Sequence, residues 1–436
     1  MPSAIVTGAT GILGREIVKE LGRNPQQWPT VHALSRSKKD SYPENVVHNH
    51  IDLTGSPDQM AKELENVGAE YVFFTAYLQQ DSEEKNTEVN GNMLQNFFDA
   101  LKITGAIKNV KRFILTTGCK QYGVHLGVPK NPMEESDKWL SDPERPPNFY
   151  YRQQEILHTQ AQEHGFEWVV TYPNDVIGVA KGNFMNLAST VGLYAAVSKE
   201  MGVAELEFPG SPYFYTRFDS FTYSKLHARF NAWAATAPGA ANQAFNVVNG
   251  DVESWQNLWP KMAAKFGLRI PETMFSPEEL EGKINQEVGS VMPLMEKPPL
   301  SEFASVMGLS GDHRNSQSKV EAKIDLMKWS QRQDVQAAWE KLQQRHGLDE
   351  KAFEGATWGF LNFVLGRNFD LVISMSKARK AGWTGYEDTW TSLSESLDDL
   401  VEEKVLPPFD NEATHQTHPS GGLHGLLSRF EKTLSG

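Results

Sequence analysis

Residues 4–22 read AIVTGATGILGREIVKELG. Ala4, Ile5, Val6 and Thr7 make a short apolar run of strand type, after which Ile12, Leu13, Ile17, Val18 and Leu21 recur at helical spacing. Between the two runs Gly8, Gly11 and Gly14 spell GxxGxxG. A strand, a glycine turn and a helix in that order suit a dinucleotide. The turn is tight, the backbone must approach a pyrophosphate closely, and the helix N-terminus supplies N–H donors and a positive dipole end. Thr10 and Ile12 lie inside this turn and are assigned with the glycines to cofactor binding.

Working outward, VHALSR, VVHNHIDL, EYVFFTAY, KRFILTTG and EWVVTYP are further short β-type runs. Helical stretches such as NGNMLQNFFDALKITG and YYRQQEILHTQAQEHG lie between several of them. Strands alternating with helices predict an α/β fold, a Rossmann-type doubly wound parallel sheet. Past Gly178 the pattern turns mainly helical, yet NQAFNVVNGD reads as a strand returning to the sheet. The expected organisation is a nucleotide-binding domain over 1–180 with returning segments near 210–250, an interleaved, mainly helical substrate lobe over 181–406, and a polar extension over 407–436. Residues 271–315, rich in Pro, Glu and Met, predict an irregular flap, whereas VQAAWEKLQQRHG and NFDLVISMSKARKAGW predict helices.

Composition excludes several classes. The 436 residues are 39% hydrophobic and 22% charged, a balance of globular rather than disordered chains. A net charge of −13 and a pI near 5.5 argue against nucleic acid or an anionic membrane as partner. The single cysteine, Cys119, allows neither an intramolecular disulfide nor a cysteine-based zinc site, and no metal is expected. No apolar run reaches the ~18 residues of a membrane span, and the first residues are spent on a strand rather than a leader, so a cytoplasmic location is expected.

The choice of nucleotide is read from ALSRSKKD, residues 33–40, about 20 residues past the last glycine. An NAD site places an acid there. Here Ser35, Arg36 and Lys38 offer a hydroxyl and two cations to a 2′-phosphate, which points to NADPH. Asp52 and Leu53 of NHIDLTG suit the adenine edge, and Thr75 and Ala76 end a strand along the cofactor's path. Pro173, Val176 and Ile177, past the EWVVTY run, complete the expected cofactor contacts.

Short-chain dehydrogenases usually carry a catalytic Tyr with a Lys four residues later on one helix face. In this chain Tyr150 is followed four on by Gln154, Tyr151 by Glu155 and Tyr122 by Leu126. Instead a lysine, Lys120, ends the apolar run RFILTTGCKQYG, residues 112–123. TTGCKQYG, PPNFYYRQQEIL, FMNLASTVGLYAAVSKE and NQAFNVVNGDVESWQNLW, in that order, resemble the progesterone 5β-reductase and iridoid synthase-like (PRISE) group of extended short-chain dehydrogenases. The resemblance implies that Tyr150 and Lys120 are catalytic. It also implies that NADPH delivers hydride to the β-carbon of an enone or enal, and that Met185 and Asn186 stand near the substrate. Cys119 is read as a small buried residue, not a nucleophile.

Aromatic residues concentrate in SPYFYTRFDSFTY and WGFLNFVLGRNFD, and Tyr77, Phe214 and Phe363 are taken as pocket walls for a small apolar carbonyl or enone substrate. A homodimer is the one assembly left open. Competing readings are a carbonyl reductase, an epimerase or a reductive cyclase on the same scaffold, and a non-catalytic NADPH sensor. The missing YxxxK weighs against the first two, and the presence of both Tyr150 and Lys120 weighs against the last.

Overall fold

The computed structural model describes residues 2–37, 41–180, 185–309 and 317–410. Seven parallel strands form the central sheet: β1 (Ser3–Thr7), β2 (Thr30–Ser35), β3 (Val46–His50), β4 (Tyr71–Phe74), β5 (Arg112–Thr116), β6 (Glu167–Tyr172) and β9 (Gln243–Asn246). Their order is β3-β2-β1-β4-β5-β6-β9. Strands buried on both faces carry near-continuous apolar runs, as Val72, Phe73, Phe74 and Phe113, Ile114, Leu115 do. The order reverses direction between β1 and β4, and a crevice opens at the carboxyl ends of the strands on either side of such a switch.

Helices α1 (Gly14–Gly22), α2 (Pro57–Glu63), α3 (Glu83–Thr104) and α4 (Phe149–His164) cover the sheet. Their boundaries follow local chemistry. Ser56 and Gln59 close a capping box on α2, Ser82 caps α3, Asn148 caps α4, and Gly105 and Gly165 end α3 and α4 at φ 78° and 74°. The Phe98 ring of α3 lies 4.6 Å from Phe113 of β5 and 5.9 Å from Phe166, so an aromatic cluster glues helix to sheet.

The strand β9 returns to the sheet beside β6, each of its paired residues lying 74 positions past its partner, from Val169 with Gln243 to Tyr172 with Asn246. The return matches the strand expected from NQAFNVVNGD. 

Two short strands, β7 (Val176–Ile177) and β8 (Thr222–Tyr223), pair in parallel beyond the sheet, and β10 (Ser290–Pro293) pairs antiparallel with β11 (Lys319–Ala322). The segment 271–315 is therefore not wholly irregular, since it holds β10 and the capped turn of helix Pro277–Leu280; residues 310–315 of it lie outside the described residues. In the second lobe, α5 (Leu187–Glu200) is buried on nearly every side from Leu187 to Ser198. It packs against helices Gln333–His346, Trp358–Gly366 and Thr389–Glu402, which is the place of a helix apolar all round.

NFDLVISMSKARKAGW departs from its expected helix, which covers only Ser376–Lys380. Residues 371–374 are extended instead: Leu371 N donates to Phe218 O at 2.8 Å, Met133 N to Val372 O at 2.8 Å and Ser374 N to Met133 O at 3.0 Å. Leu371 and Ile373 are buried, a period of two that the helical reading overlooked.

His227, on helix Ser224–Thr236, is fully buried, and burial pushes its pKa down to about 3. The native ring stays neutral while the unfolded one charges near 6.5. Below pH ~6.5 the unfolded chain thus binds the extra proton and stability falls with acidification, by about 2 kcal/mol from this group at pH 5. The melting temperature should drop measurably between about pH 7 and pH 5; a flat profile would contradict the assignment.

Candidate active site

The carboxyl ends of β1, β2, β4, β5 and β6 open into one cavity of about 750 Å³. Gly8, Thr10, Gly11, Ile12 and Gly14 line one end of it. Gly8 has φ 65°, and a Cβ on Gly14 would lie 2.3 Å from Gly8 O and 2.6 Å from Thr75 Oγ1, so the turn closes only with glycine. Thr75 Oγ1 donates to Thr7 O at 2.7 Å and joins β4 to β1 at the crevice; Thr75 and Ala76 both line it.

Ser35 and Arg36 line the cavity where β2 ends. The Ser35 hydroxyl is already engaged, donating to Ser37 O at 2.8 Å and lying 3.0 Å from His48 Nε2, whereas Arg36 is exposed. Lys38 lies outside the described residues. Asp52 and Leu53 also line the cavity; hydrogen bonds from the Thr54 side chain and backbone hold the Asp52 carboxyl below its usual range. This glycine cradle, with an exposed guanidinium at the next strand end, fits a dinucleotide.

Farther along, the cavity is walled by Lys120, Tyr150, Tyr77, Pro173, Val176, Met185 and Phe363. Gly118 explains how Tyr150 gets there: a Cβ at Gly118 would sit 3.0 Å from the Tyr150 hydroxyl and 3.3 Å from Pro173 O. Asn148 ties the two key segments together. Its Oδ1 accepts from Tyr150 N at 3.1 Å and its Nδ2 donates to Lys120 O at 2.7 Å. Asn148 thus caps α4 and holds the Lys120 backbone at once.

Burial, then the neighbouring Tyr77, Cys119 and Glu83, push the Tyr150 phenol well above its ordinary range, so it is a neutral hydrogen-bond donor. Tyr151 has a different task. Its hydroxyl donates to Gln121 O at 2.8 Å and accepts from Leu140 N at 3.1 Å, and its ring stacks on Trp139 at 4.6 Å. Gln154, at the position where a YxxxK lysine would stand, is buried: it donates to Gln121 Oε1 at 2.8 Å and accepts from Tyr172 at 2.7 Å. The helix therefore brings no cation to Tyr150 from that position. Lys120 reaches the cavity from the end of β5 instead, its Nζ donating to Glu83 Oε1 at 2.7 Å and lying 5.8 Å from the Phe149 ring centre.

Three expected contacts do not reach the cavity. Ile177 is spent on pairing β7 with Tyr223 of β8. Asn186 caps α5, accepting from Ser189 N at 3.3 Å and donating to Ala180 O at 2.8 Å. Phe214 is fully buried behind Arg367, with the guanidinium carbon 5.7 Å from its ring centre. Conversely, His125, Asp175 and Arg367 line the cavity without having been expected. Burial, with Lys120 and Arg145 nearby, pushes His125 down to about 3 and keeps it neutral. Arg367 donates to Asp175 Oδ1 at 3.1 Å across 192 residues of sequence, a pairing that no local signal announces. Burial pushes the Cys119 thiol well up, which agrees with its reading as an inert buried residue.

Comparison with known proteins settles the family. Residues 4–288 match the PRISE-like Rossmann-fold domain. The chain belongs to the PRISE family. This PRISE chain is 40% identical to an uncharacterised protein of Schizosaccharomyces pombe, over 93% of its length and 98% of the relative's. It is 28% identical to an (S)-8-oxocitronellyl enol synthase of Nepeta cataria and 28% identical to a 3-oxo-Delta(4,5)-steroid 5-beta-reductase of Arabidopsis thaliana, in each case over 93% of both chains. It is an oxidoreductase of the short-chain dehydrogenase type. Among the described residues no helix is long and apolar enough to cross a membrane, and no cluster of three or more His, Cys, Asp or Glu could hold a metal ion.

Proposed function

We propose that the protein reduces the conjugated C=C bond of an enone or enal with NADPH. The observation that carries this reading is the pairing, in one cavity, of a phenol held neutral at Tyr150 with the Lys120 ammonium, while Gln154 replaces the lysine of the usual helix arrangement. Bound NADPH supplies the hydride that adds to the β-carbon. Negative charge then develops on the substrate's carbonyl oxygen. Tyr150 and Lys120 donate hydrogen bonds to that oxygen, stabilising the charge where it appears. The α-carbon then takes a proton from solvent or from another group. The names of the steroid reductase and the enol synthase among the relatives support an enone or enal substrate.

The test is NADPH consumption against a panel of enals, cyclic enones, steroid enones and plain ketones, with the product mass and the position of transferred deuteride determined. Deuterium at the β-carbon is expected. Reduction confined to plain ketones, with deuterium on the carbonyl carbon, would overturn the reading.

The coenzyme preference rests on Arg36. NADPH should bind at least about tenfold more tightly than NADH, and Arg36→Ala should remove most of the difference, since a charge-assisted phosphate contact contributes roughly 1.5–3 kcal/mol. Equal dissociation constants in the parent protein would reject this assignment.

A further inference from the structure

Lys120 is not free in the cavity wall. Its Nζ donates to Glu83 Oε1 at 2.7 Å, and both side chains are only 23% exposed. Glu83 lies on the first turn of α3, directly after the N-cap Ser82, whose hydroxyl accepts from Lys85 N at 3.2 Å. A carboxylate is favoured at that end of a helix, and a 22-residue helix packed on the sheet is a rigid base for it. The other carboxylate oxygen, Oε2, is buried with no hydrogen-bond partner among the described residues. The Glu83 carboxylate is thus committed to one partner, the lysine.

A lysine side chain has many rotamers to lose when it is held in one geometry. Here three elements hold it: Glu83 of α3, the Phe149 face of α4 and, through Asn148, the backbone at Lys120 itself. We infer that Glu83 is a positioning residue that fixes the Lys120 ammonium for the developing oxyanion, leaving its remaining N–H donors for the cavity. This inference rests on the enone-reduction reading above. The negative charge of Glu83 also helps to keep Tyr150 protonated, which is the form that reading requires.

The experiment is a double-mutant cycle read by single-turnover hydride transfer, using the panel enone or enal that the parent protein reduces fastest. Glu83→Ala should slow transfer about tenfold in the parent but less than about twofold in the Lys120→Ala background, because Glu83 acts through the lysine. Glu83→Gln keeps a carbonyl acceptor at the same reach and should stay within about threefold of the parent. NADPH affinity and melting temperature are measured on every variant, and Glu83→Leu, which removes the acceptor while keeping bulk, carries the test if Glu83→Ala does not fold. Equal losses in the two backgrounds would make Glu83 a structural residue, and no loss in the parent would show that Lys120 needs no holding; either overturns the inference while leaving the enone reading intact. A Lys120→Ala protein as fast as the parent removes this inference and leaves the enone reading to Tyr150 alone, whereas a panel with no reduced member removes both.

Discussion

Tyr150→Phe should lower kcat for enone reduction by about two to three decades, because one preorganised donor to a developing oxyanion is worth roughly 3 kcal/mol. The hydroxyl alone is lost; the ring keeps its place 4.2 Å from Phe149. NADPH affinity should be nearly unchanged, since the contact is made mainly to charge that exists in the transition state. The phenol is held protonated well past its ordinary range, so the loss should be the same from about pH 6 to pH 9. Tyr151→Phe separates the two neighbours. It removes a hydroxyl that bridges Gln121 O and Leu140 N, so its effect should appear in melting temperature more than in kcat. A reversal of that ranking would place the donor one residue later on the helix.

Lys120→Ala should slow hydride transfer by about tenfold or more at unchanged NADPH affinity, a loss of at least ~1.4 kcal/mol. Lys120→Arg should recover little. A planar fork on a longer side chain does not replace a compact ammonium held 2.7 Å from Glu83. The measurement is single-turnover loss of NADPH absorbance. A parent-like rate in Lys120→Ala would leave the oxyanion to Tyr150 alone.

Much of the frame was legible in the chain. The glycine turn of residues 8–14, the alternation of strands and helices, and the return of β9 all rest on short-range signals, periodicity and glycine. The segment 368–383 was misread for a related reason. Its helical residues, Ser376–Lys380, are few, and the extended part is set by hydrogen bonds to Met133 and Phe218, far away in sequence.

By itself the sequence determined a dinucleotide turn, a parallel α/β sheet, and a tyrosine and lysine without the usual YxxxK spacing. Each follows from residues that act on near neighbours. Only the tertiary structure decided which of the aromatic and polar candidates face the cavity. Asn186 turned inward to cap a helix, Ile177 went to a strand pair and Phe214 went behind Arg367, while Asp175 and Arg367 met across 192 residues. The physical reason is that burial and partner choice depend on which distant surfaces meet. A side chain's nearest sequence neighbours do not contain that information. Glu83 shows this best, for a glutamate opening a helix reads as a solvated charge until the fold brings Lys120 to it.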